Sequence, residues 1–409
     1  MKKSIYLISF LLLASSLFPQ LEQHEITVRN IVVPLRVFDG DHFVENLTID
    51  DLELYEDGKL QKIQALYLTK KAQMEKRIGA SRDYMPYVGR SFYFLFQISE
   101  YNPKVAEALD YFFTHMYSLD DKVFVMTPFK NYTLSREVVK AMTKEDLVRE
   151  IQGIVRKDTI IGASEYNNQL KLLKRIVRSI SSVGGGRTGT IAGTTLELSS
   201  SIGMDAIDSL LSRYRDTLQR MEGLRVVDEK KFLRFAAQLK RLEGQKTVFF
   251  FYQREFRPEI QPRILSNLMS IYQNEPNIIG QFQELFQFYH RDLSVNVDNL
   301  KKAFADSFIL FNFIFMNKRP EGIYGIYMRE QSEDFFRVFS DIAHATGGIV
   351  DNSQNPATAF KTVSKLTERC YLLYYSPEKY IKDGKFKTIV VKVKNKDYRV
   401  IHRLGYFAN

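Results

Sequence analysis

Four stretches of the chain are apolar at nearly every position over the length of a strand: Phe92 to Phe96, Thr247 to Tyr252, Phe308 to Met316 and Cys370 to Tyr375. Runs without alternation predict strands buried on both faces, as in a parallel sheet with helices above and below. The first run continues through Gln97 into a short turn at Ser99-Glu100-Tyr101. Asn102 then offers an N-cap and Pro103 a first helical residue, and Val105, Ala106, Leu109, Phe112, Phe113 and Met116 follow at helical spacing. A buried strand, a turn and an amphipathic helix make the first half of a βαβ unit. In open α/β sheets ligands sit at the carboxyl ends of such strands, so the turn after Gln97 is the first place to look for function.

The ends of the chain have a different period. Val33, Leu35 and Val37 alternate with Arg36, Leu52 and Leu54 alternate with Glu53 and Tyr55, and Glu56-Asp57-Gly58-Lys59 is a hairpin signal. Near the other terminus Ile389, Val391 and Val393 alternate with Val390, Lys392 and Lys394, and Asn395-Lys-Asp397 turns the chain into a second strand at Tyr398 to His402. Each piece is too small to bury its apolar face alone, so the pattern predicts that they join into one small antiparallel β-sandwich. The expected organisation is an N-terminal β unit over 20–69, a linker over 70–89, an α/β domain over 90–376 and a C-terminal hairpin over 377–409 that pairs with 20–69. Cys370 to Tyr375 is expected as the last strand of the α/β sheet. Gly184, Gly185, Gly186 and Gly189 predict a flexible loop over 183–195. Glu259 to His290 reads as a helical insertion whose Leu265, Leu268, Phe282 and Leu285 form core or cover the sheet.

Composition changes this picture in three ways. The chain of 409 residues has 31 Phe and 23 Tyr but no Trp, so phenyl and phenol rings must fill the core. Lys2-Lys3, the apolar run Ile5 to Leu13 and Ala14-Ser15-Ser16 form a signal-peptide pattern over 1–19, which implies a periplasmic or secreted protein. The formal charge is +10, and +8 once the two leader lysines are removed, which favours weak contact with anionic envelope surfaces. No later stretch is long and apolar enough to span a bilayer. The single cysteine, Cys370, reads as a buried inert thiol.

Most catalytic chemistry finds no pattern to support it. The six histidines are scattered, with no spacing suited to zinc. There is no Gly-x-Ser-x-Gly elbow. The glycine loop lacks the Lys-Ser/Thr ending of a phosphate loop and follows no buried strand. Asp50-Asp51 and Asp120-Asp121 fit turn chemistry. Neither nucleic-acid binding nor a cofactor is expected.

Three groups of residues resemble the von Willebrand factor type A (VWA) fold, and specifically exported bacterial VWFA-related domain proteins. They are Val37-Phe-Asp-Gly40 with Leu47 to Ile63; Leu242-Glu-Gly-Gln-Lys-Thr-Val-Phe-Phe-Phe251; and Ala345-Thr-Gly-Gly348 with Tyr371 to Pro377, Asp383 to Lys387 and Arg403-Leu-Gly-Tyr406. The resemblance implies a doubly wound, mostly parallel, Rossmann-like sheet with helices on both faces. It also implies a metal-ion-dependent adhesion site (MIDAS) read as Asp-x-Ser-x-Ser, a Thr from a second loop and an Asp after a later strand. Here Gln97 replaces the first Asp, Ser99 is retained, Tyr101 replaces the second Ser, Thr194 or Thr195 stands for the Thr, and Gln253 replaces the last Asp. Mg²⁺ requires hard oxygen ligands with carboxylates to balance its charge, and neutral amides do not provide them. Glu100 and Glu255 are the local acids that could compensate. The expected function is a non-enzymatic protein-interaction or adhesion module with a degenerate, metal-free site and no catalytic residues. The alternatives are an electrostatic binder of anionic cell-envelope material, or an envelope hydrolase built on Glu100 or Glu255.

Overall fold

A computed structural model describes residues 30–71, 73–78, 88–185, 204–225, 229–289, 295–353, 355–394 and 397–409. The signal peptide expected over 1–19 and Thr194 and Thr195 lie outside the described residues. In chain order the first strands are β1 (Ile31–Asp39), β2 (His42–Phe43), β3 (Leu52–Glu56), β4 (Lys59–Gln61), β5 (Ile63–Lys70) and β6 (Gln73–Ile78). Next come β7 (Arg90–Gln97), α1 (Lys104–Tyr111), β8 (Lys122–Met126), β9 (Asn131–Leu134), α2 (Arg136–Ala141), α3 (Lys144–Gly162), α4 (Ser164–Gly185), α5 (Met204–Arg225) and α6 (Glu229–Lys240). Then follow β10 (Gln245–Gln253), β11 (Phe256–Ile260), α7 (Pro262–Ile271), α8 (Pro276–Tyr289), α9 (Val297–Asp306), β12 (Ile309–Met316), β13 (Ile326–Glu330), α10 (Glu333–Thr346), β14 (Val350–Asp351) and α11 (Pro356–Glu368). The chain closes with β15 (Arg369–Tyr375), β16 (Phe386–Val393), β17 (Arg399–His402) and β18 (Gly405–Phe407).

The architecture is mixed α/β, with one mainly parallel sheet and separate antiparallel sheets. The parallel sheet has the order β14-β12-β10-β7-β8-β9, with only the edge strand β9 antiparallel. Alternate residues of its strands point into two different cores. Phe92, Phe94, Phe96, Phe249 and Phe251 meet α1, α3 and α11 on one face. Tyr93, Phe250, Tyr252, Phe313 and Phe315 meet α6, α9 and α10 on the other. Ring stacking takes the place of tryptophan: Phe249 lies 4.1 Å from Phe360 and Phe96 4.6 Å from Phe251, centroid to centroid.

Two antiparallel sheets, β17-β1-β15-β5-β6 and β18-β16-β3-β4, face each other across a second kind of core. Val33, Leu35, Leu66, Tyr371 and Leu373 come from one sheet, and Leu54, Ile389, Val391 and Tyr406 from the other. Glu56 anchors that core by accepting from Tyr375 Oη (2.6 Å) and Tyr406 Oη (3.0 Å). Three expectations need correction. Cys370 to Tyr375 does not join the parallel sheet, because β15 runs antiparallel between β1 and β5. Residues 389–393 and 398–402 do not form a hairpin, since β16 pairs with β3 and β18 while β17 pairs with β1. Part of the supposed linker is strand β6, paired with β5.

The helical insertions form a further layer. Leu173, Val177, Leu211, Tyr214, Leu268 and Phe282 from α4, α5, α7 and α8 pack with Ile260 and Ile326 of the β11–β13 ribbon. Glu259, expected to open a helix, lies in β11 and is buried against Arg257 (2.6 Å) and Arg329 (3.0 Å). The residues of 183–195 that are described, through Gly185, complete α4 rather than a loop. Because β11 follows β10 directly, this layer stands beside the carboxyl ends of the parallel strands.

Candidate functional site

Parallel pairing places Gln97 opposite Tyr252 and Gln253 opposite Met316, so Gln97 and Gln253 end adjacent strands at the carboxyl edge. Their surroundings differ. Gln97 is exposed, whereas Gln253 is buried at 4% exposure. Gln253 Oε1 accepts three hydrogen bonds from the turn after β7: from Ser99 N (3.1 Å), Ser99 Oγ (3.1 Å) and Glu100 N (3.0 Å). The amide thus organises the turn through neutral hydrogen bonding. The α4 helix clamps the same turn from outside, with Asn167 Nδ2 donating to Ser99 O at 3.0 Å.

The nearby acids are both paired. Glu100 Oε2 lies 2.8 Å from Lys318 Nζ. Glu255 takes the Arg225 guanidinium, which also reaches Glu222 at 3.4 Å and Gln331 O at 3.2 Å. Burial opposes the charge on Arg225 more than any single neighbour favours it, but Glu255, Tyr252, Glu222 and Tyr166 together hold the guanidinium above its ordinary value. Among the described residues no three His, Cys, Asp or Glu converge as metal ligands.

A cavity of about 350 Å³ opens between the strand ends and the helical layer, lined among others by Gln97, Ser99, Tyr166, Arg225, Tyr252 and Glu255. Burial pushes the Tyr166 and Tyr252 phenols well up, so at neutral pH both are protonated donors rather than bases. Tyr101 is not brought to this cavity. It is half-buried against the α1 and α3 core and lines a neighbouring hollow of about 670 Å³ with Gln152, Arg156 and Thr159.

Of the sequence-predicted residues, Gln97, Ser99 and Gln253 therefore converge, Tyr101 turns aside, and Thr194 and Thr195 lie outside the described residues. Asn167, Arg225 and Lys318 belong to the site but escaped sequence reasoning, because each comes from a distant element with no motif of its own. Replacing Gln253 by leucine removes the shared acceptor of two backbone amides and is expected to cost about 1–3 kcal/mol. Hydrogen exchange at Ser99 and Glu100 should accelerate in that variant; unchanged protection there would refute the role given to Gln253.

No family model and no curated protein matches the chain. Among solved structures, the crystal structure of the human COPII-coat protein Sec24c aligns over 80% of this chain and 45% of its own length, at 7% identity and a TM-score of 0.30. The chain thus spans less than half of that protein, and a likeness at this level carries no argument about fold or function.

Proposed function

We propose that the chain is a non-enzymatic protein-interaction module, exported to the periplasm or beyond, built on a doubly wound VWA-type domain whose adhesion crevice works without metal. The strand order supports the VWA-type reading. The sheet grows outward from β7 in both directions, towards β8 on one side and β10 on the other, and the crevice lies where that order reverses. The observation that carries the metal-free reading is the triple acceptance at Gln253 Oε1. A carboxylate at this place would face the ion; the amide instead consumes the donors of the turn. The exposed Gln97 and the Glu100–Lys318 pair then form a polar rim for a protein partner.

The test is thermal unfolding with Mg²⁺, with Mn²⁺ and with chelator. The chain should show the same transition in all three. The variant Gln97→Asp/Tyr101→Ser/Gln253→Asp restores the hard oxygen ligands and should gain a metal-dependent rise, worth about 2.7 kcal/mol at a hundredfold excess over Kd. A metal response in the unaltered chain would overturn the metal-free reading. A triple variant that folds yet ignores metal would overturn the kinship with an adhesion site.

A further inference from the structure

Among the described residues, two buried cations without an ion pair lie at the opposite edge of the parallel sheet. A cavity of about 440 Å³ opens there between the amino end of β10 and the sandwich strand β15, with Lys246 and Arg403 in its lining. Lys246 is 3% exposed and Arg403 8% exposed. Buried cations are ordinarily matched by a carboxylate, because desolvating an unpaired charge costs several kcal/mol. Neither has one at ion-pair distance here, although Asp306 in the same lining partly offsets the charge of Arg403. Lys246 Nζ donates to the carbonyl of Leu242 at 2.6 Å. Arg403 Nε has no hydrogen-bond partner among the described residues.

The carboxylates nearby are already engaged. Asp306 is held by Lys240 Nζ at 2.5 Å and by the backbone N–H of Phe407 at 3.0 Å. Glu56, across the sandwich core, accepts from Tyr375 and Tyr406. Glu243, at the mouth, is exposed. One ring supports both cations: the Phe308 centroid lies 5.7 Å from Lys246 Nζ and 5.5 Å from Arg403 Cζ. Phe308 is held at φ +61°, a left-handed conformation that bulky residues rarely adopt and that persists where the surroundings impose it. Burial and the adjacent guanidinium push the Lys246 ammonium down to about 8.

We propose that this cavity is an oxyanion site, taking a small ligand that carries a phosphate or carboxylate held between Lys246 Nζ and the Arg403 guanidinium. The volume suits a small molecule. The planar guanidinium supplies directed donors and the ammonium a point charge, and together they complement a dianion. Phe308, Leu372 and Tyr374 supply an apolar wall for the rest of the ligand. This site is separate from the crevice at Gln253 and does not depend on what that crevice does.

The test is isothermal titration of the full chain at neutral pH with inorganic phosphate and, separately, with succinate. Saturable one-to-one binding of at least one anion is expected, weakened tenfold or more in both Lys246→Met and Arg403→Met. Saturation by phosphate alone marks a phosphoryl ligand, and saturation by succinate alone marks a carboxylate. The variants should unfold at or above the transition of the parent, since each removes a buried charge that forms no ion pair. Absence of saturable heat for both anions overturns the site, as does full affinity in either variant. Where a variant does not fold, the titration of the parent chain decides alone.

Discussion

Replacing Arg90 by methionine should destabilise the chain by about 3–5 kcal/mol, the usual cost of leaving a buried charge without its partner. Arg90 opens β7, and its guanidinium grips Asp121 with two parallel bonds, Nε to Oδ1 at 2.9 Å and Nη2 to Oδ2 at 2.5 Å. The two side chains are 3% and 0% exposed. Nη2 also donates to Met116 O at 2.9 Å, tying the end of the first crossover to the start of the sheet. Burial already holds the Asp121 carboxyl above its ordinary range, with Arg90 opposing the rise. Without Arg90 it moves further up, so the penalty should be largest at neutral pH and shrink on acidification as the acid is neutralised. Urea unfolding of Arg90→Met beside Arg90→Met/Asp121→Leu gives the check. The double variant should recover most of the loss; equal losses would show that the pair is not what holds this corner.

Between about pH 8 and pH 10 the stability of the chain should increase, and Lys246 is the cause. Its ammonium titrates near 8 in the folded chain against an ordinary value of 10.5. Across that window the unfolded chain binds a proton that the native chain has released, so raising the pH favours the native state. The shift corresponds to about 3 kcal/mol over the full window. Above pH 10 the sign reverses. Burial raises the Tyr166, Tyr252, Tyr375 and Tyr406 phenols, so the native chain keeps protons that the unfolded chain loses. Urea midpoints at successive pH values for the parent and Lys246→Met test this. The variant should lack the rise from pH 8 and keep the fall above 10, whereas two parallel curves would remove Lys246 from the account.

The buried parallel strands were legible because β7, β10 and β12 touch core on both faces and carry no alternation. The same signal misplaced β15. That strand is also buried on both sides: Tyr371, Leu373 and Tyr375 face the sandwich core, while Cys370, Leu372 and Tyr374 join Phe308 on the other face. An unbroken apolar run reports double burial and says nothing about which sheet supplies it. Strand β6 was hidden for the opposite reason, since Gln73, Met74 and Glu75 of this edge strand are exposed. In β11, Pro258 and the ion pairs of Arg257 and Glu259 masked a short buried ribbon strand as helical material. Asp121 read as turn chemistry, and it does accept from Ser118 N at 2.7 Å, but its larger role with Arg90 needs a residue from another strand. At the carboxyl edge, the spacing Gln97-x-Ser99 and the end of β10 named residues that the fold brings together. The clamp from Asn167 and the ion pairs of Glu100 and Glu255 depend on tertiary packing, which no local pattern encodes.

The way the sandwich is closed governs the order in which the chain can fold. β1 lies between β15 and β17, and β3 between β16 and β4. Contacts that seal this unit, such as Tyr371 Oη donating to Val44 O, join residues 327 positions apart. Closing so long a loop is entropically costly, and pairings of this span form late and slowly. On a chain made from its amino end, β1 and β3 emerge first and gain their C-terminal neighbours last. Until then their backbone edges are open to intermolecular pairing. The parallel sheet and the helices that cover it need nothing beyond α11 and can condense earlier, becoming the scaffold on which the two ends of the chain finally meet.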